Sequence, residues 1–121
     1  MLRGEIRLVN LEPVKSGEAG TLGKVRMVRP AVVVSNDALN LTTESLNRGI
    51  VTVVPITSNI ARVYPFQVRL PRKITGLSID SKAQAEQIRS VAISRIGKRV
   101  GRLTKDLQDE LDLALRLHLD L

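Results

Sequence analysis

The side chains of this chain that could do chemistry are mostly arginines, lysines and hydroxyls, because the residues of many other catalytic sites are missing. The 121 residues include no cysteine, which excludes a disulfide framework, a thiolate nucleophile and a zinc ribbon. They include one histidine, His118, which is too few for the usual metal sites and triads. Guanidinium groups and hydroxyls instead bind phosphate oxygens well. We therefore expect a site without a metal ion or cofactor, and a negatively charged partner.

The positive charge of the chain lies in its middle third. The formal net charge is +7, and residues 62–102 carry ten lysines and arginines against two acidic residues, a net +8. A field of this kind attracts polyanions and raises their rate of encounter. Nucleic acid is the first candidate partner, an acidic protein the second and an anionic membrane the third.

Neither a membrane partner nor a secreted protein is favoured. No segment forms a basic amphipathic helix, no apolar run approaches the ~20 residues of a membrane span, and the first residues lack the apolar stretch of a signal peptide. We expect a cytoplasmic protein that does not bind membranes.

Aromatic residues are scarce, and this argues against one class of nucleic-acid binder. The chain has two, Tyr64 and Phe66. Modules that hold single strands by stacking usually present several aromatic rings on a sheet. If this protein binds RNA, backbone contacts and hydrogen bonds should therefore supply most of the binding.

The hydrophobic pattern predicts a single domain over residues 1–121, mainly β, with a C-terminal helix. Hydrophobic residues make up 43% of the chain, enough to bury a core. The β-branched runs at 30–35 and 50–57 are typical of buried strands, and Pro55 should limit the later pairing of the second. The full set of predicted strands is 6–11, 30–35, 50–57 and 66–70, with a turn and short strand at 76–79.

The remaining segments are loops and helices. Glycines predict a mobile loop over 12–24, residues 36–47 are helical or irregular, and the propensities of 82–91 are divided between helix and strand. Thr104 is a plausible N-cap for the final helix. Its apolar stripe is Leu107, Leu111, Ala114, Leu115 and Leu117. Five or six short strands and one helix indicate a small, strongly bent sheet or barrel.

Several segments together resemble one known family. The segment Arg29-Pro-Ala-Val-Val-Val-Ser-Asn-Asp, preceded by 4–13 and followed by 54–59, is similar to the MazF/PemK toxins of type II toxin–antitoxin pairs. Further similar segments are 65–68, 76–77, 85–90 and the leucine-rich C-terminal helix. The resemblance covers nearly the whole chain, with the elements in the same order.

The resemblance implies a fold, an activity and partners. The fold would be an SH3-like barrel of the CcdB/PemK type, assembled as a two-fold homodimer, with residues 82–91 as a strand. The activity would be metal-independent, sequence-specific cleavage of single-stranded RNA, typically mRNA, by its own 2′-hydroxyl. The products would carry 2′,3′-cyclic phosphate and 5′-hydroxyl ends. An acidic antitoxin of the MazE kind would neutralise the toxin.

The resemblance also assigns roles to particular residues. It implies that Arg29 and Thr57 are catalytic, that Glu18 is a loop acid and possible general base, and that Gln87 and Arg89 line an RNA groove. Because a guanidinium keeps its proton at neutral pH, Arg29 suits a clamp on the scissile phosphate, with a donor near the leaving oxygen, better than a simple base.

Other polar residues near these motifs are candidates for RNA contacts. Ser58 and Asn59 follow Thr57 and could extend its polar contacts, and Arg72 and Lys73 would attract phosphate generally. His118, on the terminal helix and remote in sequence from these residues, is assigned no role.

Two other functions use the same barrel. One is a CcdB-like poison that binds gyrase, which acts through an aromatic residue near the C-terminus that this chain lacks. The other is a non-catalytic RNA-binding barrel, which leaves the pairing of Arg29 and Thr57 unexplained. The segment between Glu18 and Arg29 is several residues longer than the family pattern, so the resemblance does not define the RNA sequence that is cut.

Overall fold

The structure, a computed structural model, describes residues 1–11 and 28–121, so Glu18 and the loop predicted at 12–24 lie outside the described residues. The described strands are β1 (Glu5–Asn10), β2 (Val28–Val33), β3 (Ile50–Thr57), β4 (Gln67–Leu70), β5 (Ser81–Gln84), β6 (Arg89–Ala92) and β7 (Ile96–Arg102). The described α-helices are α1 (Asp37–Leu46), α2 (Arg72–Thr75) and α3 (Lys105–Leu119). Short 3₁₀ turns at Ala85–Gln87 and Ile93–Arg95 complete the regular elements of these residues.

The long central strand β3 organises the antiparallel sheet, whose strand order is β4-β5-β3-β2-β1-β7. One edge of β3 pairs with β2, while the other pairs first with β6 through residues 50–53 and then with β5 through residues 56–57. On the edge of β3 that pairs with β6 and β5, Pro55 lies between the two ladders. On the opposite edge, Pro55 pairs with Ala31 of β2. The prediction that Pro55 limits later pairing is confirmed for β2 and β6, whose ladders with β3 end at Pro55 and Val53, while β3 continues to Thr57 by pairing with β5.

The change of partner corrects the prediction of one strand over 82–91. The 3₁₀ turn at Ala85–Gln87 divides this segment into β5 and β6, both of which pair with β3. Because proline has no backbone N–H to donate, the gap between the β6 and β5 ladders beside Pro55 leaves no N–H of β3 unpaired at that position.

Two apolar clusters lie on opposite faces of the central strands. Val32 and Val54 face the cluster beneath α3, whereas their neighbours Val33 and Val53 face the second cluster. All four side chains are fully buried. This confirms that the β-branched runs are strands buried on both faces.

Helix α3 covers the first cluster, as its sequence pattern predicts. The Thr104 hydroxyl accepts a hydrogen bond from the Leu107 N–H at 3.2 Å, which confirms Thr104 as the N-cap. Leu107 and Leu111 are buried in the cluster, whereas Leu117 is 57% exposed, against prediction. Six residues of helix rotate Leu117 about 240° from Leu111, which places it on the solvent side.

The two ends of the strand path approach each other at a glycine. An added Cβ on Gly101 of β7 would overlap the carbonyl oxygen of Thr75 in α2. Only glycine lets β7 pack this closely against α2, which follows β4. The sheet is therefore strongly bent into a barrel-like form, although none of the described ladders joins β4 to β7.

One local prediction was wrong, and one strand was missed. Gly76 forms a turn with φ +88°, as expected, but the residues after it are irregular rather than a short strand. Strand β7 was not predicted, because Gly97, Gly101 and the cations around them conceal its alternation.

Candidate active site

Arg29 and Thr57 lie side by side where β2 begins and β3 ends. The β2–β3 ladder pairs Ala31 with Pro55, and Arg29 and Thr57 each lie two residues beyond this pair, at the same end of the ladder. The Arg29 Nη2 donates to the Ile56 carbonyl oxygen at 3.1 Å. This hydrogen bond holds the guanidinium against the end of β3 and leaves its other N–H groups to bind a ligand.

Two concave pockets meet at this pair of residues. The first, here the polar pocket, has a volume of about 410 Å³, and the second, here the hydroxyl-lined pocket, about 390 Å³. The polar pocket is lined by Leu11, Arg29, Pro55, Thr57, Gln84, Gln87 and Arg89. The hydroxyl-lined pocket is lined by Arg29, Pro30, Ile56, Thr57, Ser58, Leu77, Ser78, Ile79 and Ser81. Because Arg29 and Thr57 line both, a ligand that occupies the two pockets must pass across them.

The Thr57 hydroxyl is oriented by the turn that follows β3. Its oxygen accepts a hydrogen bond from the Asn59 N–H at 3.2 Å, and the Asn59 Oδ1 accepts from the Ala61 N–H at 3.3 Å. With the Thr57 oxygen accepting in this way, its hydroxyl proton can be donated to a ligand oxygen. Ser58 reaches the hydroxyl-lined pocket, whereas Asn59 shapes the turn and lines neither pocket.

The polar pocket brings together residues that are distant in the sequence. Gln87 comes from the 3₁₀ turn after β5 and Arg89 from the start of β6. The Arg89 Nη1 donates to the Leu11 carbonyl oxygen at 3.5 Å, at the edge of the described residues. Of the candidate RNA contacts, Gln87 and Arg89 thus share a pocket with Arg29 and Thr57.

The candidates Arg72 and Lys73, and His118, to which no role was assigned, lie outside the two pockets. Arg72 and Lys73 are exposed on α2, where the Arg72 N–H donates to the Asp80 Oδ1 at 2.9 Å. His118 is exposed in the last turn of α3 and lines neither pocket. Glu18 lies outside the described residues.

The sequence did not single out Lys82, which the sheet places beside Thr57. Thr57 pairs with Lys82 of β5, and Lys82 pairs with Arg69 of β4. Since paired residues share a face of a sheet, Thr57, Lys82 and Arg69 form a row across β3, β5 and β4. Only the β3–β5 register reveals this row. The sequence also did not single out the other pocket-lining residues Gln84, Leu77, Ser78, Ile79 and Ser81.

In residues 1–11 and 28–121, no three acidic or histidine side chains come together as a metal site would need. Within the same ranges, no helix is both long and apolar enough to cross a bilayer.

Comparisons with known sequences identify similar proteins. A family model described as PemK-like, MazF-like toxin of type II toxin-antitoxin system matches residues 2–119. Endoribonuclease MazF9 of Mycobacterium tuberculosis is 54% identical over 121 residues, which are 100% of this chain and 98% of that protein. Probable endoribonuclease MazF1 of the same species is 41% identical over 95 residues, 78% of this chain and 96% of its own length.

Solved structures share the fold. MazF from Deinococcus radiodurans superposes with a TM-score of 0.74 at 26% identity, covering 100% of this chain and 97% of that one. A MazE–MazF complex from the same bacterium gives a TM-score of 0.70 at 27% identity, covering 100% and 96%. The prediction of a mainly β, SH3-like barrel with a C-terminal helix is confirmed.

Proposed function

Since the chain belongs to the PemK-like, MazF-like toxin family of type II toxin–antitoxin systems, we propose that its endoribonuclease activity resides at Arg29 and Thr57. The substrate is single-stranded RNA, and the chain acts as one domain over residues 1–121. The observation that carries this assignment is the position of both residues at the junction of the polar and hydroxyl-lined pockets.

The proposed reaction uses a nucleophile that the RNA itself supplies. The 2′-hydroxyl oxygen bonds to the adjacent phosphorus as the bond from phosphorus to the 5′-oxygen breaks. A base takes the proton of the 2′-hydroxyl, and the leaving 5′-oxygen gains one. The products end in a 2′,3′-cyclic phosphate and a 5′-hydroxyl. The protein must align these atoms and stabilise negative charge on the phosphorane, which side chains can do without a metal ion.

Arg29 is suited to the scissile phosphate. One of its terminal nitrogens is held by the Ile56 carbonyl, which limits the orientations that the guanidinium can adopt. The remaining donors can bind two nonbridging oxygens as a fork and approach the leaving oxygen. Because the guanidinium is oriented before the substrate binds, little reorganisation energy is needed when charge develops on the phosphate.

Thr57 supplies a neutral donor to the same phosphate. Its oxygen accepts from the Asn59 N–H, so its proton is available for a nonbridging oxygen or for positioning the 2′-hydroxyl. Glu18 is proposed as the base that receives the 2′-hydroxyl proton.

The flanking RNA would occupy the two pockets. Gln87 and Arg89 contact it in the polar pocket, while Ser58 and Asn59 contact it beside the hydroxyl-lined pocket. Arg72 and Lys73 lie further out and add general attraction for phosphate. The net +8 of residues 62–102 suits this extended polyanion.

The proposed partners are a second copy and an acidic antitoxin. The solved relatives include MazE–MazF complexes, which supports an antitoxin of the MazE kind for this chain. Three exposed leucines, at 113 and 117 in α3 and at 121 just after it, are spaced four residues apart. An exposed apolar surface of this kind supports burial in a homodimer. Acting on mRNA, the toxin would work in the cytoplasm.

End-group analysis tests the proposed reaction. Purified protein is incubated with a long single-stranded RNA in EDTA, and the fragments are examined at both ends. Discrete fragments with cyclic phosphate and 5′-hydroxyl ends are expected. Fragments with 5′-phosphate ends, or cleavage that EDTA abolishes, would refute the mechanism. RNA that is bound but left intact would indicate a non-catalytic barrel.

A further inference from the structure

Both aromatic residues of the chain lie together in the connection between β3 and β4. The rings of Tyr64 and Phe66 are parallel to within 1°, with centroids 5.5 Å apart. Phe66 is half-buried, whereas Tyr64 is 42% exposed. Parallel, offset rings at this separation attract each other. Phe66 therefore supports Tyr64 from behind and presents part of its ring to solvent.

Two cations accompany the Tyr64 ring. The Arg62 guanidinium carbon lies 5.7 Å from the ring centroid, and the Lys82 Nζ lies 5.9 Å from it. Lys82 is buried, and its Nζ donates to the Arg62 carbonyl oxygen at 2.5 Å, which fastens this connection to β5. Neither cation forms an ion pair with a carboxylate of residues 1–11 or 28–121. A cation near an exposed ring without a carboxylate partner suits a ligand that combines a flat ring with a negative charge.

This group of residues adjoins the candidate active site. Lys82 is the ladder partner of Thr57, so their side chains share one face of the sheet. The Lys82 side chain thus starts beside Thr57 and ends beside Tyr64. A strand of RNA bound across Arg29 and Thr57 can therefore reach the Tyr64 ring, because the distance from Thr57 to that ring is spanned by the Lys82 side chain.

We propose that Tyr64 is a stacking site for one unpaired base of the bound RNA, and that Arg62 and Lys82 attract the adjoining phosphate. The inference rests on the proposed function, because it takes RNA as the ligand. Stacking accepts any base, so Tyr64 sets the path and affinity of the strand, while the base sequence is read elsewhere. An acidic segment of a protein would satisfy the cations but would leave the exposed part of the Tyr64 ring without a matching group.

The chain contains its own reporter for this site. Tyr64 is the one tyrosine, and there is no tryptophan, so the intrinsic fluorescence of the protein comes from Tyr64. The probe is a short 2′-O-methyl oligouridylate, which lacks the nucleophilic hydroxyl and cannot be cleaved. The matched probe has the same backbone but no bases. The oligouridylate should quench the fluorescence to a plateau, and the abasic probe should bind without that quenching.

Substitutions separate stacking from folding. Tyr64→Ala should weaken binding of the oligouridylate about tenfold and leave the affinity for the abasic probe unchanged. Tyr64→Phe keeps a ring and should keep nearly the full affinity, even if the alanine variant folds poorly. Arg48→Ala, an exposed arginine before the opposite end of β3, is the matched control and should bind as the unaltered protein does.

The outcomes distinguish this proposal from the proposed function. Quenching by the oligouridylate without cleavage of ordinary RNA would support stacking and refute the nuclease assignment. Cleavage of RNA without quenching, and with full affinity in Tyr64→Ala, would overturn stacking alone. Quenching by polyglutamate but not by the oligouridylate would assign the ring to an acidic protein partner and would also overturn it.

Discussion

At the scale of single residues, the proposed site consists of two side chains that hydrogen bonds to the backbone orient. Arg29 donates to a main-chain carbonyl, and Thr57 accepts from a main-chain N–H. Neither contact uses the groups that the proposed phosphate contacts need. The two residues are therefore oriented in advance, as the proposed stabilisation of charge in the transition state requires.

The role of the Thr57 hydroxyl can be tested with a substitution that keeps the shape of the side chain. Thr57→Val keeps the branched side chain but removes the donor, so cleavage under single-turnover conditions should slow about a hundredfold. Thr57→Ser keeps the hydroxyl and should retain most of the rate. Equal rates in the valine and serine variants would show that the hydroxyl takes no part.

At the scale of elements, the site exists because β3 changes partner at Pro55. Strand β6 and strand β5 approach the same edge of β3 from either side of the 3₁₀ turn at Ala85–Gln87. That turn carries Gln87 into the polar pocket, and the β5 pairing places Lys82 beside Thr57. A single unbroken strand over 82–91 would not put all of these side chains around one pair of residues.

The packing of α3 gives a stability prediction with a matched control. Leu111 is fully buried in the cluster beneath the helix, and Leu117 is 57% exposed on the same helix. Leu111→Ala should lower the free energy of unfolding by about 2–5 kcal/mol, since it opens a cavity. Leu117→Ala, which removes the same atoms from solvent-exposed positions, should change it little. Denaturant unfolding of both variants measures the difference, and similar losses would contradict the assigned helix face.

Sequence patterns predicted those parts of the fold that local physics determines. The β-branched runs of β2 and β3 and the Thr104 cap of α3 carry their own signals, and the structure confirms them. Strand β7, by contrast, has a burial pattern broken by two glycines, and the close approach of Gly101 to α2 and of Gly97 to β1 is visible only in three dimensions.

The site was predictable to a similar extent. Family motifs indicated Arg29, Thr57, Gln87 and Arg89, and the structure gathers these four around one pocket. Lys82 and Gln84 needed the β3–β5 register, which no local pattern encodes. Tyr64 and Phe66 were noted as scarce aromatic residues, but their stacking depends on how the β3–β4 connection folds.

At the scale of the whole molecule, two carboxyl groups connect folding to pH. Burial raises the pKa of Glu5, but hydrogen bonds from Arg7 and the Leu2 N–H outweigh it, and the net pKa is lowered. Burial likewise raises the pKa of Asp112, and hydrogen bonds from Arg3 and Gln108 reverse the effect. Through the Arg3–Asp112 ion pair at 2.8 Å, the start of the chain is joined to α3.

These lowered values predict a loss of stability in acid. In the unfolded chain the two carboxyls titrate near 4.5 and 3.8, above their values in the folded protein. As the pH falls below those numbers, the unfolded state takes up protons first, so the free energy of unfolding decreases. Thermal unfolding should show Tm falling from about pH 5 to pH 3. Asp112→Asn should flatten this dependence, and an unchanged slope would contradict the role of the Arg3–Asp112 pair.

The most direct test of the account is the single-turnover rate of RNA cleavage in EDTA for Arg29→Ala beside Arg48→Ala. Both variants lose one arginine and the same net charge, but Arg48 lies before the opposite end of β3 from the site. Arg29→Ala should cleave about 10²–10³-fold more slowly while remaining folded, and Arg48→Ala should cleave at the rate of the unaltered protein. Equal rates in the two variants would show that cleavage takes place somewhere other than at Arg29 and Thr57.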